Sequence, residues 1–96
     1  MKLEMDRTSY VVTITGLEEG NTVTMTFGKE KALVADVNKE GIVTFNCSKL
    51  IPKFLRQEIP VTVKRKGQND IESIYEVRMT KLVHKRNIEI RKEKKK

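Results

Sequence analysis

Few side chains in this 96-residue chain could do chemistry. His84 is the single histidine and Cys47 the single cysteine. A nucleophile needs a base within hydrogen-bond reach. His84 is the one histidine available for that work, and among Lys81, Lys85 and Arg86 it reads as a solvent-facing residue. Cys47 follows an alternating run on the side of Val43 and Phe45. It reads as a small buried hydrophobe rather than a reactive thiol. One cysteine cannot form an internal disulfide, and one cysteine with one histidine excludes a Cys/His zinc site. Glu18-Glu19 is a turn dipeptide facing solvent. Gly16 and Gly20 lack the Lys-Ser/Thr end and the following helix of a phosphate loop. Asp36-Val-Asn-Lys-Glu-Gly41 lacks the ligand spacing and the terminal bidentate Glu of a calcium loop. The reading is a chain with no catalytic residues, no metal ligands, no cofactor and no small-molecule substrate, and so not an enzyme.

Basic side chains are the feature with chemical content. Twenty Lys and Arg face thirteen Asp and Glu, a net charge of +7. Residues 1–77 carry eleven of each sign, so that part is neutral. Residues 78–96 carry nine basic side chains against Glu89 and Glu93, and the entire excess lies there. A basic arm on a neutral body attracts anionic surfaces at long range. Lys85, Arg86, Arg91, Lys92 and Lys94 are the candidate contacts for an anion or an acidic partner. The alternative is a solubilising terminus. Lys64-Arg65-Lys66 forms a second basic run. It should lie at the opposite end of the body from the point where the arm leaves, so the two runs should not merge into one groove.

The elements that position these groups read as strands. Tyr10–Thr15 is rich in β-branched residues. Thr22-Val-Thr-Met-Thr-Phe27 alternates strictly, with Val23, Met25 and Phe27 inward. Ala32–Val37, Ile42–Cys47, Ile59–Lys64 and Ile71–Thr80 follow, separated by turns that contain Gly28, Gly41 and Gly67. Residues 48–57 change period, with Leu50, Ile51, Phe54 and Leu55 on one helical face and Pro52 in the first turn. This predicts a short helical connector. Residues 87–91 alternate weakly and could add an edge strand, and disorder is expected from Arg91 onward. The fold class is all-β: an antiparallel sandwich of six to seven strands with one short helical connector. Its domain spans 1–83, and 84–96 forms a basic C-terminal tail, partly disordered. The expected core is Val12, Ile14, Val23, Met25, Phe27, Leu33, Val43, Phe45, Leu50, Phe54, Val61, Val63, Tyr75, Val77 and Met79. Two layers packed this way should leave no cleft for turnover. No apolar run approaches the length of a membrane span. Met1–Asp6 is charged and leads into no apolar segment, so no secretory signal is visible and synthesis in the cytoplasm is expected.

The runs Ile14-Thr-Gly-Leu-Glu-Glu-Gly-Asn-Thr-Val-Thr-Met-Thr-Phe27, Ala35-Asp-Val-Asn-Lys-Glu-Gly-Ile-Val-Thr-Phe45 and Ile59-Pro-Val-Thr-Val63 together resemble bacterial and phage Ig-like domains. Those domains place a two-glycine turn before a valine strand. An Asp-x-Asn-x-x-Gly turn then leads into a second strand, and a connector into a Val-Thr-Val strand. The resemblance covers residues 10–80. This chain departs from it in a longer, more apolar connector, and in Ile59-Pro60 where an aromatic residue usually stands. The resemblance implies an Ig-like sandwich that serves as a spacer or binding module, such as a capsid-decorating, tail or fibre-associated part of a virion. It would act on a protein partner or on itself through sheet edges or a sandwich face. Two other readings stand beside it: a small basic nucleic-acid binder, through the arm or an OB- or SH3-like barrel, and an inhibitor that docks on a host protein.

Overall fold

The computed structural model describes residues 1–29, 31–51, 57–65, 67–78 and 81–90, with residues 89 and 90 described by their backbone alone. Among these residues there are eight strands and no helix. They are β1 (Lys2–Met5), β2 (Val11–Thr15), β3 (Thr22–Phe27), β4 (Lys31–Asp36), β5 (Val43–Asn46), β6 (Glu58–Lys64), β7 (Asp70–Arg78) and β8 (Lys81–Ile90). All pairings are antiparallel. They build a three-stranded sheet, β1-β2-β5, and a five-stranded sheet, β4-β3-β6-β7-β8. The fold is an all-β sandwich. No helix of the described residues is long and apolar enough to cross a membrane.

Period-two burial produces the two layers. Val23, Met25 and Phe27 of β3 are fully buried, and Thr22, Thr24 and Thr26 between them are half-buried on the outer face. Side chains alternate across a strand, so one apolar face suffices for each sheet. Val12 and Ile14 of β2 and Val43 and Phe45 of β5 supply the small sheet's share of the core. Val61, Val63, Tyr75 and Val77 complete that of the large sheet. Eleven of the fifteen expected core residues are buried. Leu33 and Leu50 are half-buried and pack against the core, and Phe54 and Met79 lie outside the described residues. Val37, Cys47, Ile51 and Ile59 join the cluster.

Two features differ from the sequence-based expectation, and a third falls mostly outside the described residues. The strand count is eight rather than six to seven, because Lys2–Met5 pairs with Val12–Thr15 and Lys81–Ile90 is one long strand. Strand β8 therefore crosses the boundary drawn at residue 83 and carries residues 84–90 in the sheet. The expected helical connector is not shown among the described residues. Its residues 52–56 lie outside the described ones, and Ser48–Ile51 form one turn in which the Leu50 and Ile51 N–H groups both donate to Cys47 O, at 3.0 and 2.9 Å. Strand β2 begins at Val11 because Tyr10 has a φ of 59°, a left-handed conformation uncommon for a non-glycine residue. Two backbone bonds flank that residue: Tyr10 N–H donates to Asp6 O at 2.9 Å, and Cys47 N–H donates to Tyr10 O at 3.1 Å. Asp6 Oδ1 accepts from the N–H groups of Thr8 and Ser9, at 2.8 and 2.9 Å, which organises the loop ahead of it. Those backbone donors hold the Asp6 carboxyl below its ordinary pKa.

The turn between β4 and β5 shows how local chemistry fixes topology. Asn38 Oδ1 accepts from the N–H groups of Glu40 and Ile42, at 3.1 and 2.9 Å. Gly41 follows with φ of 75°, and its carbonyl accepts from Leu17 N–H at 3.1 Å. A Cβ on Gly41 would collide with the Leu17 carbonyl oxygen. Gly20 also has positive φ, but open space surrounds it. The φ of Gly20 alone makes alanine there cost about 1–3 kcal/mol. Gly41→Ala adds a clash with backbone, and is expected to lower the thermal midpoint well below that of Gly20→Ala. Circular dichroism melts of the two variants check this; equal midpoints would contradict it.

Candidate functional site

The sandwich has an open side where the edge strands β1 and β8 approach one another. The sequence leads one to expect no cleft there, but the structure has one of about 630 Å³. Leu3, Leu17, Val63, Ile71 and Leu82 supply apolar wall, and Ser73, Tyr75, His84 and Asn87 a polar one. Two causes combine. Strand β1 is only four residues long, against nine and ten for β7 and β8. The inner face of the β7–β8 hairpin also turns polar where an apolar core would have to continue.

A bulge sets that polar face. Tyr75 pairs with His84, but Ile74 pairs with Arg86, which leaves Lys85 without a partner residue on β7. One extra residue reverses the facing of everything after it. Strict alternation from Leu82 would send Arg86 inward. The bulge instead brings Asn87 to the inner face beside His84 and leaves Lys85 and Arg86 both facing outward. Ser73 is buried, and its hydroxyl donates to Asn87 Oδ1 at 2.7 Å. His84 Nε2 lies 2.9 Å from the same oxygen. An amide oxygen only accepts, so His84 donates from Nε2. The His84 ring also meets Tyr75 edge-on, with centroids 5.2 Å apart. His84 is thus a strand residue at the cleft and not part of a free arm.

Chemically the cluster is self-contained. A serine nucleophile needs a base that takes its proton. Ser73 instead gives its proton to an amide oxygen, and His84 spends Nε2 on that same oxygen. Cys47 is fully buried, 3.9 Å from Phe45 O, and burial pushes its thiol up to about 11. Among the described residues no group of three or more His, Cys, Asp or Glu side chains could hold a metal ion. In the Asp36–Gly41 segment, Asp36 Oδ1 accepts from Thr22 Oγ1 at 3.0 Å, and Asn38 organises the turn.

The candidate anion-binding residues divide. Arg91, Lys92 and Lys94 lie outside the described residues. Lys85 and Arg86 sit on the outer face, each engaged with a glutamate. Arg86 makes a two-pronged pair with Glu58, both contacts 3.1 Å, reaching across β7. Lys85 Nζ is 3.0 Å from Glu76 Oε2, and Arg78 Nε is 2.9 Å from Glu76 Oε1. The hydrogen bonds from Lys85 and then Arg78 hold the Glu76 carboxyl below its ordinary value, and Arg86 does the same for Glu58. Arg86 and Glu58 are 28 positions apart, so their pairing is invisible to charge counting. The expected separation of the two basic runs is also corrected. Strand β8 runs back along β7, so Ile90 lies opposite Asp70, at the end where Lys64 and Arg65 stand. Arg65 there donates from Nε and Nη2 to Asn69 O, at 3.0 and 2.7 Å.

A carboxyl whose pKa is depressed by folding stabilises the fold above its unfolded value and loses that contribution as pH falls through the folded one. Glu76→Gln is therefore expected to be less stable than the native chain at neutral pH. The gap should close as pH drops below the ordinary glutamate value of 4.5. Denaturant titrations between pH 7 and 3 read this directly, and a gap that does not change with pH would contradict the pairing.

No protein-family model, no curated protein and no solved structure matches this chain.

Proposed function

We propose that this chain is a non-enzymatic interaction module of the bacterial Ig-like kind, working by contact through its sheet edges. The observation that carries this reading is the open architecture. Among the described residues, two separate sheets leave four edge strands, β1, β5, β4 and β8, each with a row of backbone groups that its own sheet does not pair. An added strand satisfies such a row, a common mode of protein recognition. The mutual engagement of Ser73, His84 and Asn87 supports the non-enzymatic half of the reading. The finer assignment, a capsid-decorating, tail or fibre-associated part of a virion, rests on the resemblance of residues 10–80 to Ig-like domains.

A second reading, nucleic-acid contact, is favoured by one observation: Lys64, Arg65 and the end of β8 share one end of the sandwich. Against it, Lys85 and Arg86 already have glutamate partners.

One experiment separates the two. A photo-crosslinking residue is placed at Val34 on β4, at Ile88 on β8 and, as a control, at Lys39 in the β4–β5 turn, in the full chain expressed in its native host. Protease-sensitive adducts of discrete mass at the edge positions and not at Lys39 are the expected result. Nuclease-sensitive adducts would transfer the case to nucleic acid. No adduct at either edge position would overturn the edge-contact reading.

A further inference from the structure

The four edges are not equivalent. Natural sheets guard their edges with charge, bulges or brevity. Strands β1 and β5 are four residues long, and β1 carries Lys2 and Glu4. Strand β8 carries Lys81, Lys85 and Arg86, and its bulge interrupts the ladder. Strand β4 has neither the brevity nor the bulge. It runs six residues, Lys31-Ala-Leu-Val-Ala-Asp36, with no proline, no register shift and charge only at its ends. Val34, at its middle, is 62% exposed, the most exposed large apolar side chain among the described residues. On the outer face Thr24 stands opposite Val34 and Thr26 opposite Ala32, both uncharged pairs, and the one charge on that face of the strand, Asp36, accepts a hydrogen bond from Thr22.

We infer that β4 pairs with β4 of a second copy, antiparallel about a two-fold axis through Val34. This inference rests on the edge-contact reading and names its surface and partner. A two-fold axis perpendicular to the sheet keeps outer faces together, so paired residues must be of like facing. Centring on Val34 sets Val34 against Val34, Ala32 against Asp36 and Leu33 against Ala35. No like charges meet, and the exposed valine covers its own copy. The two large sheets then form one continuous ten-stranded sheet, with threonine and valine at the centre of the join and Asp36 of each copy beside Ala32 of the other. A self-complementary patch of this kind closes as a dimer and does not propagate. Six residues of edge make a small interface, so the dimer depends on concentration.

Because residue 34 faces itself, the test uses charge. Like charges directly opposite on paired strands repel, and opposite charges attract. Val34→Lys and Val34→Asp are each expected to raise the dimer dissociation constant at least tenfold in sedimentation velocity, with native circular dichroism. An equimolar mixture of the two variants is expected to restore the dimer. A native chain that stays monomeric from micromolar to millimolar concentration would overturn the inference. So would a dimer indifferent to either charge, or a mixture that fails to reassociate. Those failures leave the edge-contact reading standing if the crosslinks at Val34 or Ile88 reach a different protein.

Discussion

Alternate side chains of β2, β3, β5, β6 and β7 meet between two sheets, and the rest of the molecule depends on that layer staying dry. Phe27, Ile14, Met25, Ile51 and Ile59 are its largest fully buried members. A chain of this size buries a modest fraction of its surface, so each contributes a noticeable part of the total stability. The layer also dictates register. Shifting any of these strands by one residue would turn threonines inward and valines to solvent. The turns serve the same end. Asn38 and Gly41 bring β5 into the small sheet directly after β4, the edge strand of the large one.

Where the layer ends, polar chemistry begins. Ser73 follows the inward period of β7, yet it is a hydroxyl in a buried position, and such a group needs a partner. The bulge at Lys85 supplies it by turning Asn87 inward. The same insertion leaves Lys85 and Arg86 on the outer surface, where Glu76 and Glu58 meet them. One irregularity therefore accounts for the cleft's polar wall and for the neutralisation of two cations that counting alone would assign to an anionic partner. Solvent-exposed ion pairs of this sort add little stability. They do hold the two side chains in place over β7.

Much of this was legible in the residues. Thr22–Phe27 announces β3 by strict alternation, and its bounds in the structure are the ones the pattern marks. Gly41 was recognisable as a turn residue, and Cys47 as a buried one, because turn chemistry and period-two burial are local. What escaped was non-local. Lys-Leu-Glu-Met offers only two inward residues, too few to mark β1 as a strand without Val12 and Ile14 beside it. A bulge has no composition of its own, so Lys81–Ile90 reads as fading alternation when it is one strand with an extra residue. Arg86 and Glu58 lie 28 positions apart, and only the pairing of three strands brings them together. The cleft followed from unequal strand lengths, which the pattern within any one strand does not carry.

The buried cluster between the two sheets is the constraint everything else depends on, and Cys47 reports on it. Its thiol is fully buried within the core cluster, and burial raises its pKa to about 11. The direct measurement is its rate of modification by a thiol reagent across a denaturant series. Cys47 is expected to be protected in native buffer, with labelling that rises only with the global unfolding seen by circular dichroism. Labelling in native buffer at the rate of an unstructured cysteine peptide would contradict it.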